Sequence, residues 1–385
     1  MTHTAAVAAP PATRLLSLDV FRGLTMASMV VVNNPGDWGN VYAPVLHAEW
    51  NGWTPTDLIF PFFLYMVGVS MTLSRSTAAG WPRILRRAAT IIVLGWLLSL
   101  FPYFRFATWR LPGVLVRIGI CYLAAAVILR WTDPRRVPGA PPDDRRHARR
   151  LGAWVGALTL GYWAAMVWMP WPGHVPGDLA PAGNLGAFID RAVLGQQHLW
   201  QQRPWDPEGL ASTVPAIATT LLGIITGFWL RGPAERRDKA MLLAAAGVAA
   251  AALGLLWDLA FPINKNLWTS SYVMFSGGAA AASLAACYWV LDVREWRWWA
   301  KPFVILGTNA IALYVLSGLF AKSLGLIKVT GAEGKPTSLG HYLYVSLYQP
   351  ILSPKNASLL FALTHLAVLF VVLWWMYRRK IFLKA

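Results

Sequence analysis

Between two apolar runs near the start of the chain lies a polar stretch, NNPGDWGNVYAPVLHAEWNGWTPTD, that holds one imidazole, His47, close to a carboxylate, Glu49. Asn33 and Asn34 close the run before it, and Asp57 opens the run after it. Polar groups are costly in hydrocarbon, so polar side chains gathered at the mouth of an apolar helix pair demand a functional explanation. Histidine is the side chain whose unperturbed titration falls nearest neutrality, which makes His47 the natural proton handler. A carboxylate such as Asp57 could orient or charge-tune it, and the Asn33 amide could donate to a developing oxyanion. The competing reading is an interfacial histidine bonded to a neighbouring loop; spacing alone leaves both open.

Other residues carry broader signals. Arg117 sits inside the apolar run GVLVRIGICYL. A guanidinium in a membrane span faces a cavity or a charged partner. Either it snorkels or pairs with Asp19 or Asp57, or it contacts a phosphate or pyrophosphate, which suits arginine's fork geometry. Arg22, Arg86 and Arg87 could extend such an anion site, although basic residues near span ends also set topology. Trp171, Trp200 and Trp205 form either an interfacial aromatic belt or a platform for sugar rings, with Asp206 and Glu208 of DPEG as hydroxyl ligands. Asp258, Asn264, Lys265, Asn266, Trp268, Thr269 and Ser270 crowd between two apolar runs and suggest a cavity rim. Asn309, within LGTNAIALYVLS, reads as helix glue or as a lining residue. The sequence holds no phosphate loop, dinucleotide fingerprint, CxxC or HExxH pattern, and its histidines lack metal-ligand spacing. No tightly bound cofactor and no metal are expected.

Helices must position these side chains. The 385-residue chain is 56% hydrophobic and 13% charged, whereas an ordinary soluble domain is about 25% charged. Its mean hydropathy is +0.46. Apolar runs of about 20 residues recur along it. The fold class is therefore all-α, a polytopic membrane bundle of about ten helices. The runs are 16–32, 56–73, 84–101, 114–129, 151–169, 210–230, 240–259, 272–291, 303–320 and 357–377. They make one domain over 14–385, preceded by a disordered cytoplasmic tail over 1–13. Asp19 and Arg22 can pair at i, i+3, and Thr54-Pro55-Thr56-Asp57 reads as a helix start. Cys121 and Cys287 lie in apolar runs as small buried side chains.

The net charge of +17 is assigned to orientation rather than to nucleic acid, because Arg and Lys concentrate in loops after even-numbered helices. Both termini are then cytoplasmic, and the loops carrying His47, Trp205 and Asn264 face the other side. On this reading a transporter or flippase for a sugar or lipid-linked sugar is an alternative to an enzyme.

LDVFRG followed by VNN, LHAEWNGWTPTDLIFPFFLYMVG, LPGVLVRIGICYL, WDPEGLASTVPAIATTLLG, FPINKNLWTSSYVM and LGTNAIALYVLS occur in order from Leu16 onward. Together they resemble bacterial members of the heparan-α-glucosaminide N-acetyltransferase family. The resemblance implies transmembrane acyl transfer, from acetyl-CoA in the cytoplasm to an amino sugar or other saccharide on the periplasmic side of a bacterial inner membrane. It places the active-site histidine at His47, the helix-one asparagine at Asn33 and the aspartate at Asp57. It leaves open whether the histidine carries the acetyl group or acts as base. The implied partners are acetyl-CoA, the acceptor saccharide and membrane lipids, and a homodimer is compatible. Arg22, Arg86, Arg87 and Arg117 are the cations available to CoA. Glu49, Trp205, Asp206, Glu208, Asp258, Asn264, Lys265 and Trp268 are the groups available to the acceptor.

Overall fold

An apolar segment in a bilayer finds no water for its backbone, so it closes its own hydrogen bonds as a helix. In the computed structural model, which describes residues 15–73, 80–133, 143–331 and 334–383, these helices are α1 (Leu16–Asn33), α2 (Ile59–Leu73), α3 (Trp81–Leu100), α4 (Val114–Trp131), α5 (Asp144–Trp168), α6 (Leu185–Leu194), α7 (Leu210–Arg231), α8 (Arg236–Asp258), α9 (Ser270–Tyr288), α10 (Ala300–Thr308), α11 (Ala310–Leu326), α12 (Leu339–Leu347) and α13 (Pro354–Arg378). A hairpin, β1 (Lys328–Thr330) antiparallel to β2 (Pro336–Ser338), sets Val329 opposite Thr337. The tail expected over 1–13 lies outside the described residues.

Among the described residues, eight helices are long and apolar enough to cross a membrane, or nine when α10 and α11 count as one bent span. The difference from ten is α3. It starts at Trp81 rather than Ile84 and so adds Arg83 to Arg86 and Arg87 in its first turns. The helix expected over 303–320 is broken, with α10 and α11 meeting at 79°. Asn309 at the joint leaves helical geometry, at φ −120° and ψ 39°, and is fully buried. Its Nδ2 donates to the Ile381 carbonyl at 3.0 Å, and its Oδ1 accepts the Leu383 N–H at 3.0 Å. Hydropathy cannot detect this break, because the sequence is apolar on both sides of it.

The centre of the bundle is α7, which packs against α2, α4, α5 and α9. Of its apolar window 72% is buried, against 22% for α8, which therefore lies at the periphery. Gly68 of α2 and Gly223 of α7 explain how two helices meet at backbone distance. A Cβ on either would run into the carbonyl oxygen of Thr220 or Tyr65, and small residues permit such close approach between membrane helices. On the outer faces of α8 and α13, Val248, Leu256, Val371 and Trp375 are exposed, an apolar surface suited to lipid. The fold thus gathers the end of α1, the start of α2 and the loop before α9 at one end. The start of α1, the end of α2 and the arginines of α3 lie at the other.

Candidate active site

The site is built on the turn that starts α2. A 3-10 turn, Pro55–Leu58, precedes that helix, and Thr54 and Asp57 form a reciprocal capping box across it. The Asp57 carboxylate thereby points back over the loop that carries His47. One oxygen accepts the backbone N–H groups of Thr54 and Ala48, each at 3.0 Å. The other lies 2.7 Å from His47 Nδ1. Asp57 is 1% exposed, and a buried carboxylate is stable only with such a set of donors. The Tyr272 hydroxyl adds a 2.6 Å bond to the Asp57 carbonyl. Because the carboxylate can only accept, the bond assigns the proton to Nδ1 and leaves the Nε2 lone pair of His47 free.

Lys265 completes the cluster. Its Nζ lies 3.3 Å from Asp57 Oδ1, 2.9 Å from His47 Nδ1 and 3.4 Å from Nε2. An ammonium cannot donate to a nitrogen that is itself donating, so its proton goes to Asp57. Burial lowers the Lys265 pKa, against the opposing pull of Asp57 and Glu208. The loop behind Lys265 is fixed by its own polar groups. Asp258 accepts the Ile263 N–H at 2.5 Å. Asn264 accepts the Leu267 N–H at 2.9 Å and donates to Asn51 at 3.0 Å, which ties this loop to the His47 loop. Trp268 adopts φ 51°, a left-handed conformation that a bulky residue rarely takes, and its buried indole donates to Thr219 at 3.2 Å.

His47, Asn33, Thr56, Glu208 and Lys265 line one end of a cavity of about 180 Å³, whose remainder is mostly apolar, with Met26, Met29, Ile59 and Phe60 among its walls beside Thr25 and Tyr314. A second cavity, of about 930 Å³, is lined by Arg22, Ser70, Arg83, Arg86, Arg87 and Asp19. Phe63, Leu115, Ile118 and Ile311 belong to the walls of both. The two polar ends are separated along α1 by the eleven residues from Arg22 to Asn33, about 16 Å at the helical rise. In the larger cavity Arg22 pairs with Asp19 at 3.3 Å and donates to Ser70 at 2.7 Å.

Several expected residues have other surroundings. Glu49 is exposed, and the carboxylate that meets His47 is Asp57. Asn34 is buried and donates to the Val30 carbonyl at 2.7 Å. Arg117, 1% exposed, donates to the Gly209 carbonyl at 3.1 Å and to Ser212, under the Trp268 ring; it is in neither cavity wall. Asp206 is held by two bonds from Arg110, at 2.6 and 2.9 Å. Glu208 shares that arginine at 2.5 Å while facing the His47 cavity. Trp205 packs edge-on to Trp50, 5.0 Å between ring centroids. Sequence reasoning missed Arg110 and Tyr272; the acidic pair in DPEG was the one available sign that a cation must answer it.

Residues 14–140 match the family profile described as heparan-alpha-glucosaminide N-acetyltransferase, catalytic. The chain is 31% identical to heparan-alpha-glucosaminide N-acetyltransferase from Homo sapiens, over 80% of this chain and 53% of that protein. It is also 31% identical to the protein of the same name from Mus musculus, over 79% of this chain and 53% of that protein. The chain spans about half the length of these relatives.

Proposed function

The chain belongs to the heparan-α-glucosaminide N-acetyltransferase-like family, and from that premise we propose that it carries an acetyl group from cytoplasmic acetyl-CoA to an amino sugar or saccharide on the periplasmic side. The observation that supports this most is the shared wall of the two cavities, which sets a cationic chamber directly against the one headed by His47. Phosphates suit the guanidinium forks of Arg22, Arg86 and Arg87. From there a slender thioester arm would follow α1 toward Asn33 and His47.

At the far end, His47 Nε2 takes the proton that the acceptor amine sheds as it attacks the thioester carbonyl. The carbon–sulfur bond breaks, the amide bond forms and the thiol leaves. The Asn33 amide donates to the oxygen that gains charge. Asp57 holds the imidazole in the tautomer that presents Nε2 and stabilises the imidazolium that follows. The same lone pair would serve a transient acetyl carrier. Glu208 and Lys265, at the polar end of the cavity, supply acceptor contacts.

Purified protein incubated with labelled acetyl-CoA and a panel of amino sugars, followed by mass spectrometry, tests the reading. Wild type should acetylate at least one sugar and release thiol. His47→Ala should lose at least about 100-fold in rate while acetyl-CoA still raises its thermal midpoint. Wild-type turnover in that folded variant would remove His47 from the mechanism, and sugar transport without thiol release would replace the enzyme with a carrier.

A further inference from the structure

The amine nearest the proposed base belongs to the protein itself. Lys265 Nζ lies 2.9 Å from His47 Nδ1 and 3.4 Å from Nε2, so a turn of its flexible stem carries it to the Nε2 lone pair, where an acceptor nitrogen must stand to pass on its proton. Both side chains line the same cavity. We propose that Lys265 is a self-acetylation site, modified by the protein's own acetyl donor when no acceptor occupies the cavity.

The inference rests on the acetyl-transfer reading given above. As a neutral amine, Nζ attacks the thioester carbonyl carbon. The carbon–sulfur bond breaks, a nitrogen–carbon amide bond forms and CoA leaves as the thiol. The proton lost from Nζ passes to His47 Nε2 and then to solvent. Two features favour the step. Burial lowers the Lys265 pKa and so enlarges the neutral fraction. The amine is also already held beside the base, whereas an exposed lysine such as Lys355 reacts only by random encounter. The product is neutral, so it breaks the pairing with Asp57 and adds bulk to a cavity of only about 180 Å³. Modification therefore closes the site, and an acceptor competes against it.

The experiment incubates the purified full chain with labelled acetyl-CoA, with and without glucosamine, and maps the label by peptide mass spectrometry after hydroxylamine treatment. That treatment strips acetyl-imidazole and leaves acetyl-lysine. Lys265 should label at least about tenfold faster than Lys355, as expected for a prepositioned group. Glucosamine should slow the labelling, and activity toward glucosamine should fall in step with it. In Lys265→Arg, whose side chain keeps the positive charge and offers no acylatable amine, remaining activity should not decline during pre-incubation.

Label on Lys265 no faster than on Lys355 overturns the inference, and this ratio in wild type decides without any variant. Equal Lys265 labelling in His47→Ala would assign the reaction to solution chemistry and overturn it as well. N-acetylglucosamine formation alongside an unmodified Lys265 sinks this inference alone. Labelled Lys265 with no sugar product upholds self-acetylation and sinks the sugar as acceptor.

Discussion

A single carboxylate organises the site at the scale of residues. Asp57 accepts from two backbone amides, an imidazole and an ammonium, and an amide side chain could not serve all four. Asp57→Asn should therefore leave His47 free to adopt the other tautomer and lower kcat by at least about 100-fold. Steady-state kinetics on the folded variant checks this. His47 and Asp57 were legible in the sequence as chemistry-bearing types near one membrane face, but their meeting was not. Glu49, two positions from His47, is the nearer carboxylate along the chain, yet it points to solvent. The capping box turns Asp57 inward instead. Lys265 was visible only as one of several polar residues at a cavity rim. Its approach to His47 depends on the Asn264–Asn51 bond across 213 residues, which no local pattern encodes.

Among the elements, the helices followed from hydropathy and their joints did not. The apolar runs locate α1, α2, α4, α7 and α9 closely, because each must bury its backbone in itself. The break at Asn309 is set instead by a side chain that bonds the C-terminal segment. Close contact between α2 and α7 makes a sharp prediction. Gly223→Ala places a methyl against the Tyr65 carbonyl and should destabilise the bundle by about 1–3 kcal/mol, read from denaturant unfolding in detergent.

A second prediction concerns α6 and its seating on α7. Asp190 accepts the Leu210 N–H at 2.7 Å, and burial pushes its carboxyl up to about 6. A carboxyl that binds its proton more tightly folded than unfolded costs stability above its folded value, and that cost is relieved as pH falls from about 6 toward about 4. Between about pH 7 and pH 5, the melting temperature of wild type should therefore rise relative to that of Asp190→Asn.

For the whole molecule, charge asymmetry gave an orientation that reporter fusions at each terminus can check: both should report the cytoplasm. The larger cavity should then open on the same side. Arg86, which lines it and is exposed, offers the cleanest variant. Arg86→Ala should raise the KM for acetyl-CoA by about tenfold with kcat unchanged, and added salt should narrow that gap in a titration of initial rates. The bundle class was readable from composition, whereas the two chambers were not, since their walls come from α1, α2, α3, α4, the bent pair α10–α11 and three separate loops. Phe63, Leu115, Ile118 and Ile311, where the chambers adjoin, present only hydrocarbon. A thin organic arm can slip past such a collar, but a hydrated ion would have to shed its shell there. On the acetyl-transfer reading proposed above, the waist would act as an electrical insulator, so that acyl groups could cross without short-circuiting the proton gradient over the same bilayer.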